Sequence, residues 1–454
     1  MGIQSVNPAT GQVLETFTPA SPADLERIVA RAHAAFGEWK AVPFAARTER
    51  MRSAARLLTK DIAHHSLNMV LEMGKPIVQA EAEVQKCAWC CEFYAEHAEA
   101  FLAVEPRETD ASKSYVRFDP LGVILAVMPW NFPYWQVFRF AAPALMAGNA
   151  AILKHASNVP RCARAIEQVF READFPEGLF ATALIESGPV AGLLADPRIV
   201  AATLTGSEHA GSAVAAQAGR ELKKVVLELG GSDPFIVLGD ADLGAAARAA
   251  ADARLVNSGQ SCIAAKRFIA VEAVADRFLD RFADELRSRR VGDPMSRDTQ
   301  VGPQARADLR DDLHRQVEES VKRGAKVLLG GQVPPGPGAY YPATLLAGVD
   351  KGMPAFDEET FGPVAAVIRA KDESDALRLA NDSTFGLGAS LWTGDRSRGE
   401  RMAAQIEAGA VFVNGIVKSD PRLPFGGIKR SGFGRELSEY GIREFVNIKS
   451  VWIA

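Results

Sequence analysis

The chain is predicted to form two α/β domains, the first a doubly wound parallel sheet with helices on both faces, and to end in a strand of the kind that pairs with another element or subunit. Three observations predict this. Short β-rich runs alternate with helical stretches from residue 115 onward, a second alternation of the same kind follows Gly230-Gly231, and the terminal segment 444–454 reads as a strand with nothing after it. At 454 residues the chain is also too long for a single compact core.

Taken in order, the first hundred residues read mainly as helices. Ser21-Pro22-Ala23-Asp24 supplies a cap, a first-position proline and an early acid, and Leu25, Ile28, Val29, Ala32 and Phe36 follow at helical spacing. A second helical pattern covers 45–72 and stops at Gly74-Lys75-Pro76. A third covers 81–101 and places Cys87, Cys90 and Cys91 among its core positions. Strands are then expected over 122–128, 150–154, 179–185, 201–205 and 225–227, with helices over 135–146, 159–173, 190–195 and 209–222 between them. The second alternation includes strands over 235–238, 268–271, 364–368 and 411–413 and helices over 243–257 and 276–287, with a Pro- and Gly-rich surface loop at 333–341.

Composition narrows the function classes. A formal net charge of −4 gives no general attraction to nucleic acid or anionic membranes. No apolar run approaches the roughly 18 residues of a membrane span, and the N-terminus has no secretory pattern. Val6 stands where a myristoylation signal wants Ser or Thr. The five cysteines are too few and too scattered for a disulfide framework, which points to a reducing compartment, with the cytoplasm as the expected location. Cys87-x-x-Cys90-Cys91 has no second Cys or His pair at ligand spacing, so no metal site is expected.

The chemistry-bearing residues collect at strand ends, where open α/β sheets bind ligands. No Gly-x-Gly-x-x-Gly follows a strand. Instead Thr205-Gly206-Ser207 leads through Gly211 into a helix, a turn that lets backbone amides approach a pyrophosphate. Asn257-Ser258-Gly259-Gln260-Ser261-Cys262 places a thiol after a polar, glycine-containing turn. Glu228-Leu229-Gly230-Gly231, Pro129-Trp130-Asn131-Phe132-Pro133 and Glu358-Glu359-Thr360-Phe361-Gly362-Pro363 add an acid, an amide donor and an acidic-aromatic loop.

In order, type and spacing these segments resemble the aldehyde dehydrogenase superfamily across essentially the whole chain. Cys262 follows Glu228 by 34 positions and Glu359 follows Cys262 by 97, as in that family, and Pro424-Phe425-Gly426-Gly427-Ile428-Lys429 and Ser431-Gly432-Phe433-Gly434-Arg435-Glu436 resemble its terminal signatures. The resemblance implies a Rossmann-like NAD(P)-binding domain at 1–103 and 122–230, a catalytic domain at 231–430, and an oligomerisation element at 104–121 and 431–454 that builds a homodimer or homotetramer. It makes Cys262 the nucleophile that forms a thiohemiacetal and then a thioester, Glu228 the general base, and Asn131 an oxyanion donor. Trp130, Lys154, Ser157, Gly206, Ser207, Gly211 and Leu229 match cofactor positions, and Glu359 and Phe361 match those that hold the nicotinamide ribose.

Ser157 stands where NAD-preferring members often carry an acid, so with Lys154 nearby the cofactor is expected to be NADP or NAD, with the balance toward NADP. Arg139, eight positions after Asn131, suits a distal carboxylate. Succinate-semialdehyde dehydrogenases carry an Arg there, Ser419 matches a serine they use near that carboxylate, and Phe425 completes the expected substrate residues. The chain departs from them in having Val256 where a second Arg is usual and Ala264 where some members carry a redox partner for the nucleophile. Overall it looks most like the bacterial, Sad-type branch. Succinate semialdehyde is therefore the expected substrate, with glutarate semialdehyde or an aliphatic aldehyde as alternatives. A cysteine-dependent thioesterase or esterase is the rival of another class, and it would need a His beside Cys262.

Overall fold

Ser21 caps the helix Pro22–Trp39, its hydroxyl accepting from the Asp24 amide while the Asp24 carboxylate accepts from the Ser21 amide. The reciprocal pair satisfies two groups that a helix start leaves open. The computed structural model containing this helix describes residues 2–454. Two N-terminal features differ from the expected run of helices. Ile3–Val6 and Val13–Phe17 form an antiparallel hairpin, closed by the Asn7 carbonyl accepting from the amides of Thr10 and Gly11. The helix expected over 45–72 is two helices, Phe44–Lys60 and Ile62–Met73. Asp61 parts them at φ −105° and ψ 27°, a turn conformation that a short acid favours over a helix interior.

The long helix Ile77–Phe101 buries Cys87, Cys90 and Cys91 completely, and burial pushes all three thiols well above their ordinary range. They are core residues, as the helical spacing predicts.

The first sheet has six strands in the spatial order Gly432–Phe433, Lys224–Glu228, Ile199–Thr205, Val123–Met128, Ala150–His155 and Phe180–Thr182. All pair in parallel except the first. The chain runs outward from Val123–Met128 to one edge and then returns to its other side at Ile199–Thr205. That reversal opens a crevice at the strand ends, just beyond Met128 and Thr205. The second sheet has seven strands, ordered Lys326–Leu329, Thr344–Ala347, Val364–Ala370, Arg267–Val271, Pro234–Val237, Gly388–Trp392 and Ala410–Val413. Only the outermost Lys326–Leu329 is antiparallel. Its central strands are apolar on both faces, as parallel strands covered by helices must be.

Each sheet has its own apolar core, and Cys262 and Ile263 lean on the first. Leu437, Ile442, Phe445 and Val446 join that same core, so the tail crosses the first domain before it forms Val446–Ile453. This last strand pairs antiparallel with Lys113–Pro120 along its full length, and Glu105–Pro106 completes a three-stranded sheet. Its outer strand leaves Ile448, Trp452 and Ile453 exposed. Among the described residues no helix is long and apolar enough to cross a membrane.

Candidate active site

The segment before Cys262 is held in an unfavourable backbone conformation. Asn257, Ser258 and Gly259 are all left-handed, with φ of 52°, 57° and 77°. For a residue with a Cβ this costs about 1–3 kcal/mol and survives only where the surroundings fix it. Here the Asn257 amide donates to Gln79 Oε1 at 2.7 Å, and its side-chain amide donates to the Asn131 and Gln260 carbonyls at 2.7 and 3.0 Å. Ser258 Oγ accepts from the Gly302 amide at 2.8 Å. Gly259 must be glycine, because a Cβ there would lie 2.2 Å from the Gly362 carbonyl.

Two buried cations grip the loop itself. Lys266 Nζ donates to the carbonyls of Ser261, Cys262 and Ala264 at 2.9, 2.7 and 3.1 Å, using all three of its N–H groups. Arg254 Nη2 donates to the Gly259 carbonyl at 2.7 Å. Both side chains are fully buried, and Glu359 Oε1 lies 3.6 Å from Lys266 Nζ.

Held in this way, the half-buried Cys262 thiol opens onto a cavity of about 460 Å³ that Lys86, Trp135, Gln136, Arg139, Ser419 and Phe425 also line. Burial is the main force on the thiol and pushes it up to about 12, opposed by the charges of Arg139 and Lys266. Asn131 lies beside the loop, its Nδ2 donating to the Gln260 carbonyl at 3.0 Å and its Oδ1 accepting from Gln136 Nε2 at 3.1 Å. These bonds orient the amide and leave one Nδ2 hydrogen unused. The turn carrying Asn131 is braced by His155, whose ring nitrogens face the Met128 and Pro133 carbonyls at 3.2 and 2.9 Å.

Glu228 ends its strand fully buried, 3.8 Å from Arg139 Nη2. Neither of its oxygens has a hydrogen-bond partner among the described residues, and burial raises its pKa well above the carboxylate range. It is not among the residues lining the cavity, and its carboxylate is turned toward Arg139. Arg139 lines the cavity as expected, but it is already engaged. Its Nε pairs with Glu436, its Nη2 donates to Thr205 Oγ1 at 3.2 Å, and its guanidinium sits 4.7 Å over the Phe425 ring.

Of the residues expected to hold a dinucleotide, seven lie at or just beyond strand ends of the first sheet, while Glu359 and Phe361 precede the strand Val364–Ala370 of the second. Ser207 caps the helix Glu208–Arg220, and the Gly206 amide donates to the Glu228 carbonyl at 3.0 Å. Gly211 allows a close approach to Leu229, since a Cβ there would lie 2.5 Å from a Leu229 methyl. Glu359 is positioned by the Gly231 amide at 2.9 Å, and Phe361 meets Trp130 edge-on at 5.7 Å between ring centres. Lys154 is half-buried, with no carboxylate within ion-pair distance among the described residues, next to an exposed Ser157. An unpaired, partly desolvated ammonium and, two strands away, a capped helix start are each features that suit a phosphorylated nucleotide.

Four residues of this arrangement escape a reading of the sequence. Lys86, Arg254 and Lys266 pass there for solvated charges, and Gln136 for an ordinary helix residue. The one available signal for Arg254 and Lys266 is that a basic residue stands shortly before and shortly after the Cys262 turn. No histidine lines the cavity among the described residues, so Cys262 lacks the partner a cysteine hydrolase needs.

The aldehyde dehydrogenase family model matches residues 1–451. A Mycobacterium tuberculosis H37Rv protein named succinate-semialdehyde dehydrogenase [NADP(+)] 1 is 51% identical, with all of both chains covered. The solved structure of Gox0499 superposes with a TM-score of 0.98 at 44% identity over the whole of both chains. The succinic semialdehyde dehydrogenase of Streptococcus pyogenes, solved with NADP+ as its cofactor, superposes with a TM-score of 0.97 at 38% identity over 99% of each chain.

The grip of Lys266 has two measurable consequences. Lys266→Met strips three loop carbonyls of their donor and is expected to lower unfolding stability in urea by at least about 2 kcal/mol. Because it removes a positive charge that favours the thiolate, it should also slow alkylation of Cys262 by iodoacetamide. Unchanged stability and unchanged alkylation would show that the loop stands without it.

Proposed function

The chain belongs to the aldehyde dehydrogenase family, and we propose that it oxidises succinate semialdehyde to succinate with NADP as cofactor. The observation that carries this reading is a half-buried thiol that opens onto the cavity, with an amide donor oriented beside its loop and the buried Glu228 carboxylate next to Arg139, which lines that cavity. The names borne by the relatives supply the substrate and cofactor.

Cys262 Sγ bonds to the aldehyde carbon, and its proton passes to Glu228, which must swing from Arg139 to receive it. The carbonyl oxygen gains negative charge in this step and is met by the unused Asn131 Nδ2 hydrogen and the Cys262 backbone amide. A bound nicotinamide supplies the oxidant for the aldehyde C–H bond. Glu228 gives up the thiol proton to solvent once the thioester has formed, then takes a proton from water as that water adds to the Cys262 thioester, and passes it to sulfur as the C–S bond breaks, which returns the thiol and releases the acid. Trp130, Lys154, Ser157, Gly206, Ser207, Gly211 and Leu229 would hold the nucleotide, with Glu359 and Phe361 at its nicotinamide ribose. Ser157 brings no negative charge to repel a 2′-phosphate, and Lys154 is free to meet one, which supports NADP. Arg139, Ser419 and Phe425 form the substrate side of the cavity. The exposed Ile448, Trp452 and Ile453 on an edge strand support assembly of the small sheet with a second copy.

Assayed on an aldehyde panel, the enzyme should show kcat/KM for succinate semialdehyde at least tenfold above butanal, and for NADP above NAD. Equal values for the two aldehydes, or a large excess for NAD, would overturn the corresponding half of the proposal. The raised pKa of Glu228 fixes the sign of the pH dependence. A base acts only when deprotonated, so activity should rise with pH through a range well above the ordinary carboxylate value of about 4.3. Glu228→Gln should abolish that limb, and a variant that keeps it would exclude Glu228 as the base. Light scattering of the purified protein should give a dimer or tetramer that Trp452→Asp disrupts, whereas a monomeric parent would remove the assembly role of this strand.

A further inference from the structure

We propose that Lys86 is the residue that seats the distal carboxylate of the substrate, with Ser419 and Trp135 arranging the donors around it. This rests on the reading of the substrate as an aldehyde with a terminal carboxylate.

The charges lining the cavity are largely cancelled within the protein. Glu83 pairs with the buried Lys75, and Arg289 pairs with Asp252 at 3.0 Å and Glu285 at 3.4 Å. Arg139 pairs with Glu436 and stands near Glu228. Lys418 is exposed to solvent. Lys86 alone is a partly buried lining cation with no carboxylate within 4.0 Å among the described residues.

Its hydrogen bonds define what the cavity offers. Lys86 Nζ donates to Ser419 Oγ at 2.9 Å and lies 4.1 Å from the centre of the Trp135 ring. Trp135 Nε1 donates to the same Ser419 oxygen, also at 2.9 Å. A hydroxyl accepts at two positions and donates from one, so these two bonds fill the accepting side of Ser419 and leave only its O–H. The ammonium keeps two further N–H groups. The cluster therefore presents donors and no acceptor, which is what a carboxylate requires and an aliphatic chain end does not. Burial, followed by the nearby charge of Arg139, holds the Lys86 ammonium down to about 8. A bound carboxylate relieves that repulsion, so the seat favours an anion over water.

The test is the ratio of kcat/KM for succinate semialdehyde to kcat/KM for butanal, a chain of equal length without the charge. Lys86→Met keeps the apolar stem and removes the charge. It should lower the ratio about ten- to a hundredfold, chiefly through KM for the charged aldehyde, and Lys86→Arg should restore much of it. A ratio within twofold of the parent in Lys86→Met would overturn the assignment. If that variant fails to fold, Ser419→Ala gives the same readout, and an unchanged ratio there likewise overturns it. A parent enzyme with no preference for the charged aldehyde would instead defeat the substrate reading, so the two failures are distinguishable.

Discussion

The geometry of the site depends on one ammonium group buried under the loop that carries Cys262. Lys266 spends its three N–H groups on the Ser261, Cys262 and Ala264 carbonyls, and its backbone amide donates to the Asp233 carbonyl at 3.0 Å. Its neighbouring counter-charge, Glu359, also accepts from the Gly231 amide in the turn that links the two sheets. A single cation thus ties the Cys262 loop to the second sheet and to the turn that links the two sheets. That turn must be glycine, since a Cβ at Gly231 would lie 2.6 Å from the Cys262 carbonyl. Burying an ammonium is costly unless every donor is used. Its retention here is consistent with its setting the position of one sulfur atom against a strained, left-handed turn.

The electrostatics around that sulfur favour a protonated resting thiol. Desolvation outweighs Arg139 and Lys266 at Cys262, and it also outweighs Arg139 at Glu228. Both groups therefore hold their protons more tightly than in water, and Arg139, which would stabilise either anion, is shared with Glu436. In the proposed mechanism, attack on the aldehyde is coupled to movement of Glu228 away from Arg139, because its carboxylate faces the guanidinium and not the cavity. Burial thus limits a free, oxidisable thiolate at rest, and a base role for Glu228 requires that side chain to move.

The parts of this arrangement that the sequence makes legible are those governed by local pattern. The Ser21 capping box, the helix Trp135–Met146, the alternating strands and the Cys-bearing core helix all follow from spacing and turn chemistry. Cys262, Glu228, Asn131 and Arg139 are picked out by their places at strand ends or relative to one another. What the sequence hides is long-range. The spacing of Arg139 from Asn131 predicts that it faces the cavity, but not that Glu436, from the segment between the last two strands, already occupies its guanidinium. Lys86, Arg254 and Lys266 look like surface charges, because burial of a charge depends on partners far away in the chain. The N-terminal hairpin is missed because its outer strand, Val13–Phe17, is mostly exposed and has no alternation to read. The break at Asp61 rests on one turn residue inside a continuous helical pattern.

The exposed Val256 gives this distribution of charge a further meaning. It opens the left-handed turn before Cys262 and stands where the resemblance leads one to expect a second arginine. A long cation there would have to be ordered on the same strained segment that positions the nucleophile, which couples substrate charge to loop geometry. Lys86 instead belongs to a 25-residue helix of the first domain, packed against the helix that carries Trp135 and Arg139. The positive charge facing the cavity is then built on helices, while Cys262 and the Ser419 hydroxyl reach it from turns later in the chain. Anion recognition and placement of Cys262 meet at one cavity and share the first core, because the turn before Cys262 is itself held by Gln79 Oε1 and the Asn131 carbonyl.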